Sequence, residues 1–213
     1  MANIDWYFDF ISPFAYFQFQ RLRELEPYGQ VSLKPVLFAG LLKHWEHKGP
    51  AEIPRKRRFT YRYALWYARQ NGIKFTLPPA HPFPPLGLLR LAHAAGNSHA
   101  AVTAIFDYIW GEGHSPSDVQ SFTALCQYLG IHEPAVTLAA GPVKQAVRAA
   151  TDEAIQRGAF GVPTVFVDDE LYWGVDATDM ALAHFAAGAA FEDAQMRRAG
   201  TLPAEVTRAQ VRI

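Results

Sequence analysis

Residues 4–16 read IDWYFDFISPFAY, and this stretch decides the fold. Its first part, Ile4 to Phe8, is a short apolar and aromatic run of the kind that forms buried strands. Ser12 is a favoured N-cap residue, and Pro13 suits the first position of a helix. An apolar period near 3.6 residues continues until the Pro and Gly breaks at 27–29. The stretch therefore predicts a strand, a Ser-Pro turn and a helix.

The rest of the chain places this unit in an α/β domain interrupted by helices. A second strand, predicted at 31–37, completes a β-α-β unit with a parallel pair. From about 41 to 156 the strand signals disappear, and helical segments alternate with Pro- and Gly-rich breaks. Strands are predicted again at 164–167 and 171–173, followed by a helix over 177–187. The predicted helices of the inserted segment lie near 54–71, 86–95, 100–110, 118–129 and 143–157. The predicted division is an α/β domain at 1–40 and 157–190, an all-helical insertion at 41–156, and an extended or partly ordered tail at 191–213.

Composition excludes several classes of protein. With 213 residues, half of them hydrophobic, the chain is long enough to bury a sizeable core. Lys plus Arg and Asp plus Glu both number 20, so no overall field attracts nucleic acid or an anionic membrane. No run reaches the roughly 18 apolar residues of a membrane span, and the first residues lack the features of a signal peptide. The single cysteine, Cys126, rules out an intramolecular disulfide. We expect a cytoplasmic protein with no nucleic-acid or membrane partner.

Three short motifs lie on either side of the helical insertion. They are DFISPFAY at 9–16, FGVPT at 160–164 and WGVD at 173–176. With this order of elements, the chain resembles the thioredoxin superfamily in its DsbA-like form. Within that superfamily it looks like the 2-hydroxychromene-2-carboxylate isomerases and the related kappa-class glutathione transferases. The resemblance covers about residues 3–188. It implies a thioredoxin-like fold with an all-helical insertion, glutathione as the cofactor and a homodimer.

Ser12 is the predicted catalytic residue. Free N–H groups and the positive end of the dipole at a helix N-terminus favour an anion such as a thiolate. Redox relatives carry C-x-x-C at this turn, but Ser12 and Ala15 occupy the two positions here, so disulfide exchange is unavailable. We interpret the Ser12 hydroxyl as a donor to the sulfur of bound glutathione. The alternative is that Ser12 serves only as an N-cap.

The resemblance also implies residues that bind glutathione. Pro163 matches the cis-proline of thioredoxin folds, which leaves the backbone of Val162 to pair with the cysteinyl unit. Asp176 matches the aspartate that meets the γ-glutamyl ammonium, and Lys56 matches a lysine directed at the carboxylate end of the ligand. The alternatives are an ordinary proline at a strand start, an N-cap at Asp176 and a solvated basic face around Lys56.

Some positions depart from the family pattern. His47 and Pro84 stand where the relatives carry asparagines, and Val175 where they often carry a polar residue. His44 and His47 lack the supporting ligands of a zinc site, so we expect no metal.

Three functions stay open. They are a glutathione-dependent isomerase of 2-hydroxychromene-2-carboxylate or a similar aromatic-derived unsaturated carboxylate, a kappa-type glutathione transferase, and a non-catalytic glutathione or peptide binder.

Overall fold

A computed structural model describes residues 2–204 of the chain. Its centre is a four-stranded sheet in the order β2-β1-β3-β4. The outer strand β2 pairs with β1 in parallel, whereas β1 with β3 and β3 with β4 pair antiparallel. The strands are β1 (Ile4–Phe8), β2 (Val31–Pro35), β3 (Thr164–Val167) and β4 (Glu170–Trp173). The predicted β-α-β unit and the later hairpin are therefore confirmed as parts of one mixed sheet.

Helices fill the chain between and around these strands. They are α1 (Pro13–Phe19), α2 (Phe38–His44), α3 (Pro54–Gln70), α4 (Leu86–Ala94), α5 (His99–Phe106), α6 (Val119–Tyr128), α7 (Pro134–Thr137), α8 (Gly141–Gln156), α9 (Ala177–Ala187) and α10 (Ala194–Ala199). Within residues 41–156 the structure assigns helices and turns and no strand, as the sequence predicts.

The structure corrects some predicted boundaries. The first helix ends at Phe19 and continues only as a 3-10 turn at Leu22–Glu24. The helix predicted to reach residue 110 changes at Asp107–Gly111 into a π-helical turn. In the predicted tail, α10 forms because the Asp193 carboxylate accepts the N–H groups that open it, at 2.8 and 2.9 Å. Residues 205–213 of that tail lie outside the described part.

One hydrophobic core joins the sheet to the inserted helices. All five residues of β1 are buried, and the rings of Trp6 and Phe8 stack at 4.1 Å. Phe106 of α5 lies 5.5 Å from the ring of Phe8 and 4.8 Å from that of Phe10. Leu88 of α4 belongs to the same buried cluster. The inserted helices therefore cover apolar groups of the strand that leads to Ser12.

The strand register brings the predicted motifs to one end of the sheet. β1 ends at Phe8, and the start of β3 lies beside that end because Tyr7 pairs with Thr164. Trp173, the last residue of β4, also pairs with Thr164. The turn at Ser12, the Val162-Pro163 dipeptide and the turn at Asp176 therefore leave the sheet at the same end.

The opposite end of the sheet carries a charged concavity of ≈ 670 Å³. There Lys34 pairs with Asp5 at 3.1 Å and with Glu153 at 2.6 Å, and Arg157 pairs with Asp5 at 2.6 Å. These charges are mutually paired, which explains their arrangement without a ligand.

In the range from residue 2 to residue 204, no helix is long and apolar enough to span a bilayer. In the same range, no three His, Cys, Asp or Glu side chains form a metal-binding group.

Candidate active site

Ser12 caps α1 and keeps its hydroxyl hydrogen available. Its Oγ accepts the N–H of Ala15 at 3.3 Å, so the predicted N-cap exists. Only 8% of the residue is exposed, and within residues 2–204 the hydroxyl donates to no protein acceptor. The next N–H of the turn, on Phe14, also has no acceptor there. Since α1 has only seven residues, these two donors rather than a long helix dipole carry the expected stabilisation of an anion.

The buried carboxyl group of Asp9 accepts hydrogen bonds from the backbone next to the Ser12 turn. Asp9 is fully buried, and it accepts the N–H of Ile11 at 3.1 Å and that of Phe38 at 2.9 Å. Burial raises the pKa of Asp9 to about 7, against the lowering effect of these two hydrogen bonds. The carboxyl group thereby ties the start of α2 to the backbone just before Ser12. The sequence shows this residue only as part of the DFISP motif, without its burial.

The Val162-Pro163 peptide bond is cis, as the resemblance implied. Both residues are buried, and within residues 2–204 neither backbone polar atom of Val162 hydrogen-bonds to the protein. The neighbouring Gly161 packs closely against Trp173, since a Cβ at that position would lie 2.5 Å from the indole nitrogen and the ring would have to move. The polar groups of Val162 are thus unpaired at the same end of the sheet as Ser12.

Asp176 lies in the turn between β4 and α9 and is exposed. It occupies the predicted N-cap position of α9, but its side chain makes no capping hydrogen bond. A Cβ built on Gly174 would lie 2.5 Å from a carboxylate oxygen of Asp176, which shows that the carboxylate folds back over that glycine. Within residues 2–204 no cation pairs with it. It is available to an ammonium group of a ligand.

Gln18 connects these elements, and no sequence pattern revealed it. The residue is fully buried in α1, and its Nε2 donates to the carbonyl of Gly174 at 2.9 Å and to the hydroxyl of Thr178 at 3.0 Å. Its Oε1 accepts the indole N–H of Trp6 at 2.8 Å. In the sequence the residue appears as one amide among apolar and aromatic side chains, and this does not identify its partners.

Lys56 occupies the exposed first turn of α3. No hydrogen bond or ion pair within residues 2–204 fixes its ammonium group. The adjacent face of α3 forms a groove of ≈ 550 Å³ with three arginines and three aromatic residues, namely Arg55, Arg58, Phe59, Arg62, Tyr63 and Trp66. Tyr63 lies 5.9 Å from the ring of Phe14, which follows Ser12 by two positions. A basic aromatic face therefore borders the Ser12 turn, although nothing in the structure brings Lys56 itself into contact with Ser12.

Other positions singled out in the sequence are exposed or lie in the core. His47 and Pro84 are exposed, and Val175 is 5% exposed inside the core. Cys126 is fully buried in α6, and burial raises the pKa of its thiol to about 11. Any thiolate at Ser12 must therefore come from another molecule.

Fold and site together define a class of protein. The mixed sheet, the helical insertion and the cis-proline beside a capped turn are those of a DsbA-like thioredoxin protein in which serine replaces the redox cysteine. The family model described as a DSBA-like thioredoxin domain matches residues 3–186, and the chain belongs to this family.

Relatives narrow the position of the chain within that family. The chain is 31% identical to the 2-hydroxychromene-2-carboxylate isomerase of Pseudomonas putida over 185 residues, which cover 81% of this chain and 89% of that one. It is 26% identical to glutathione S-transferase kappa 2 of Caenorhabditis elegans over 182 residues, covering 78% and 81%. A solved structure of a 2-hydroxychromene-2-carboxylate isomerase superposes with a TM-score of 0.74 at 25% identity, covering 94% and 99%. The similarity covers 81–99% of the length of these proteins, and the two that are named as isomerases support an isomerase.

Proposed function

We propose that this protein is a glutathione-dependent cis-trans isomerase acting on 2-hydroxychromene-2-carboxylate or a similar aromatic-derived unsaturated carboxylate. The observation that carries the proposal is the Ser12 hydroxyl, which is buried and free to donate a hydrogen bond. The single cysteine, Cys126, is buried in α6, so the thiolate that Ser12 would stabilise belongs to a bound ligand. Three of the relatives bear the name of this isomerase, and another bears that of a glutathione transferase.

The polar groups at this end of the sheet fit glutathione. A thiolate needs a hydrogen-bond donor, which Ser12 offers, and a cysteinyl peptide unit needs a backbone partner, which Val162 offers beside the cis-Pro163. A γ-glutamyl ammonium needs a carboxylate, which Asp176 offers without a competing cation among the described residues. Lys56 is proposed to attract the carboxylate end of a ligand as it enters.

When bound, glutathione supplies the thiolate that adds reversibly to a conjugated double bond and so permits rotation about it. Ser12 holds the sulfur in its charged form by donating its hydroxyl hydrogen. The basic aromatic face of α3 suits an aromatic carboxylate, because arginine pairs with carboxylates and aromatic rings stack on Phe59 and Tyr63. The protein's contribution is binding and orientation.

One assay separates this function from its rivals. We offer 2-hydroxychromene-2-carboxylate with glutathione, follow the alkene by absorbance, and count the remaining thiol in the same tube. Rapid absorbance change with constant thiol supports the isomerase. Thiol that falls in proportion to product indicates the transferase, for which the kappa-class relative is the supporting observation. Tight glutathione binding without any reaction indicates the non-catalytic binder or an enzyme that acts on a different substrate.

The glutathione site itself is tested at Asp176. Asp176→Asn should weaken glutathione binding, measured by calorimetry, because the charge that meets the ammonium is lost. Asp152→Asn is the matched control, since Asp152 is an exposed aspartate of α8 whose one ion pair among the described residues is with Arg148 at 3.7 Å. Equal affinities of the two variants would remove Asp176 from the site.

The homodimer and the cytoplasmic location stay predictions. Light scattering on the purified protein tests the homodimer.

A further inference from the structure

We infer that His81 is a positioning residue that fixes the peptide unit leading into Ser12. This inference rests on the proposed function for its catalytic meaning. The Nε2 atom of His81 lies 2.7 Å from the carbonyl oxygen of Ile11. That carbonyl and the N–H of Ser12 belong to the same peptide plane, and the Ser12 N–H donates to the carbonyl of Asp9 at 3.0 Å. With both of its ends bonded, the plane has one orientation, and the direction of the Ser12 side chain follows from it.

The protons of this contact can be assigned from chemistry. A backbone carbonyl only accepts, so Nε2 of His81 carries the hydrogen. The other ring nitrogen, Nδ1, lies 2.8 Å from the Tyr61 hydroxyl, whose single hydrogen can be donated either to Nδ1 or to the carbonyl of His81, also at 2.8 Å. Burial lowers the pKa of His81, which favours a neutral ring with Nδ1 as an acceptor. Tyr61 supports the tautomer that holds Ile11 when it donates its hydrogen to Nδ1.

Neighbouring groups prevent the turn from relaxing in another direction. The Asp9 carboxylate accepts the Ile11 N–H, so both backbone polar groups of Ile11 are engaged by side chains. Trp110 donates its indole N–H to the carbonyl of Phe10 at 2.8 Å, and its ring lies 5.4 Å from that of His81. His81 and Trp110 both come from the inserted helical segment. The insertion therefore shapes the turn of the α/β part that carries Ser12.

The test compares His81→Phe with a control at His93. His93 makes the same kind of bond, from Nε2 to the carbonyl of Pro35 at 3.0 Å, and it is partly buried as well, but it bonds to the end of β2 and not to the Ser12 turn. Phenylalanine keeps the ring and removes the donor in both variants. His81→Gln restores a donor without the ring and serves as the rescue variant.

We expect His81→Phe to speed hydrogen exchange of the Ser12 amide about tenfold, because a lost hydrogen bond changes a local equilibrium by that order. We also expect the thiol pKa of bound glutathione to rise by about one unit, since the Ser12 donor is no longer held in line. His93→Phe should leave both quantities at their wild-type values, and His81→Gln should recover most of each.

The outcomes separate the inference from the proposed function. Equal Ser12 exchange rates in His81→Phe and His93→Phe would overturn the positioning role. If the wild type binds no glutathione, the proposed function fails, while the exchange rates still decide the role of His81. If His81→Phe does not fold, Tyr61→Phe and His81→Gln provide the comparison: Ser12 exchange should be faster in Tyr61→Phe, which loses the support of the ring, than in His81→Gln, which keeps a donor. Equal rates in these two variants would overturn the positioning role.

Discussion

At the scale of single residues, the Ser12 hydroxyl combines a structural and a chemical role. Ser12→Ala should cost about 1 kcal/mol of stability as a lost N-cap, and it should raise the thiol pKa of bound glutathione because the donor is gone. Ser98→Ala is the matched control, since Ser98 caps α5 by accepting the N–H of Ala101 at 3.2 Å. Both variants should lose similar unfolding free energy in urea. Ultraviolet titration of the bound thiolate should change only in Ser12→Ala, and identical titrations would reduce Ser12 to a cap.

Asp9 gives a pH dependence whose sign follows from its burial. The folded-state pKa of about 7 lies above the value near 3.9 of an unfolded aspartate, so the native state binds the extra proton between these values. The free energy of unfolding should therefore fall as pH rises from about 4 to about 7, by at most about 4 kcal/mol, and change no further above that range.

Asp9→Asn cannot titrate, which isolates this contribution. Urea unfolding of the wild type and the variant is measured at several pH values between 4 and 8. In the difference between their free energies of unfolding, the contributions of the other titrating groups cancel. Asp152→Asn, at an exposed site, should run parallel to the wild type. Parallel curves for Asp9→Asn as well would show that Asp9 is ionised throughout.

At the scale of elements, Gln18 holds β1, α1 and the turn before α9 together. Gln18→Met keeps the volume but removes three hydrogen bonds, leaving the indole N–H of Trp6 without its acceptor and the carbonyl of Gly174 with the N–H of Ala177 at 3.2 Å as its remaining donor. We expect a loss of about 3 kcal/mol in unfolding free energy, with weaker glutathione binding as the Asp176 turn loosens. Gln20→Met, at an exposed position, should change neither quantity. Equal stability of the two variants would contradict the linking role.

Local patterns predicted the elements better than the contacts between them. The strand at Ile4–Phe8 and the capped turn at Ser12 were predictable because their signals lie within a few residues of each other. The roles of Gln18 and His81 depend on partners 156 and 70 positions away, which no local pattern records. The π-helical turn after α5 has the apolar period of an ordinary helix, so its change of hydrogen bonding could not be predicted from the sequence. The sequence predicts Asp9 as a turn residue, but its burial depends on the packing of α2 over it.

At the scale of the whole molecule, the aromatic core bears on whether the inserted helices form an independent unit. Phe106 of α5 lies within 6.2 Å, ring to ring, of aromatic side chains from the first 40 residues, namely Trp6, Phe8, Phe10, Tyr16 and Phe19. Since these contacts cross the predicted boundary at residue 41, neither segment buries its apolar surface alone. The segments should therefore unfold together, although their separation in sequence is clear.

Phe106→Ala tests this cooperativity. Removing a fully buried phenylalanine should cost about 3–5 kcal/mol, and because its cavity lies between the two segments, both should lose stability equally. Tryptophan fluorescence, dominated in the core by Trp6 and Trp110, and far-ultraviolet circular dichroism should report one coincident urea transition at a lower midpoint. Phe59→Ala, at a residue 66% exposed on α3, should change the free energy of unfolding by less than about 0.5 kcal/mol. Two separate transitions in Phe106→Ala would mean that the segment at 41–156 is a domain with its own core, and that the turn carrying Ser12 keeps its shape without it.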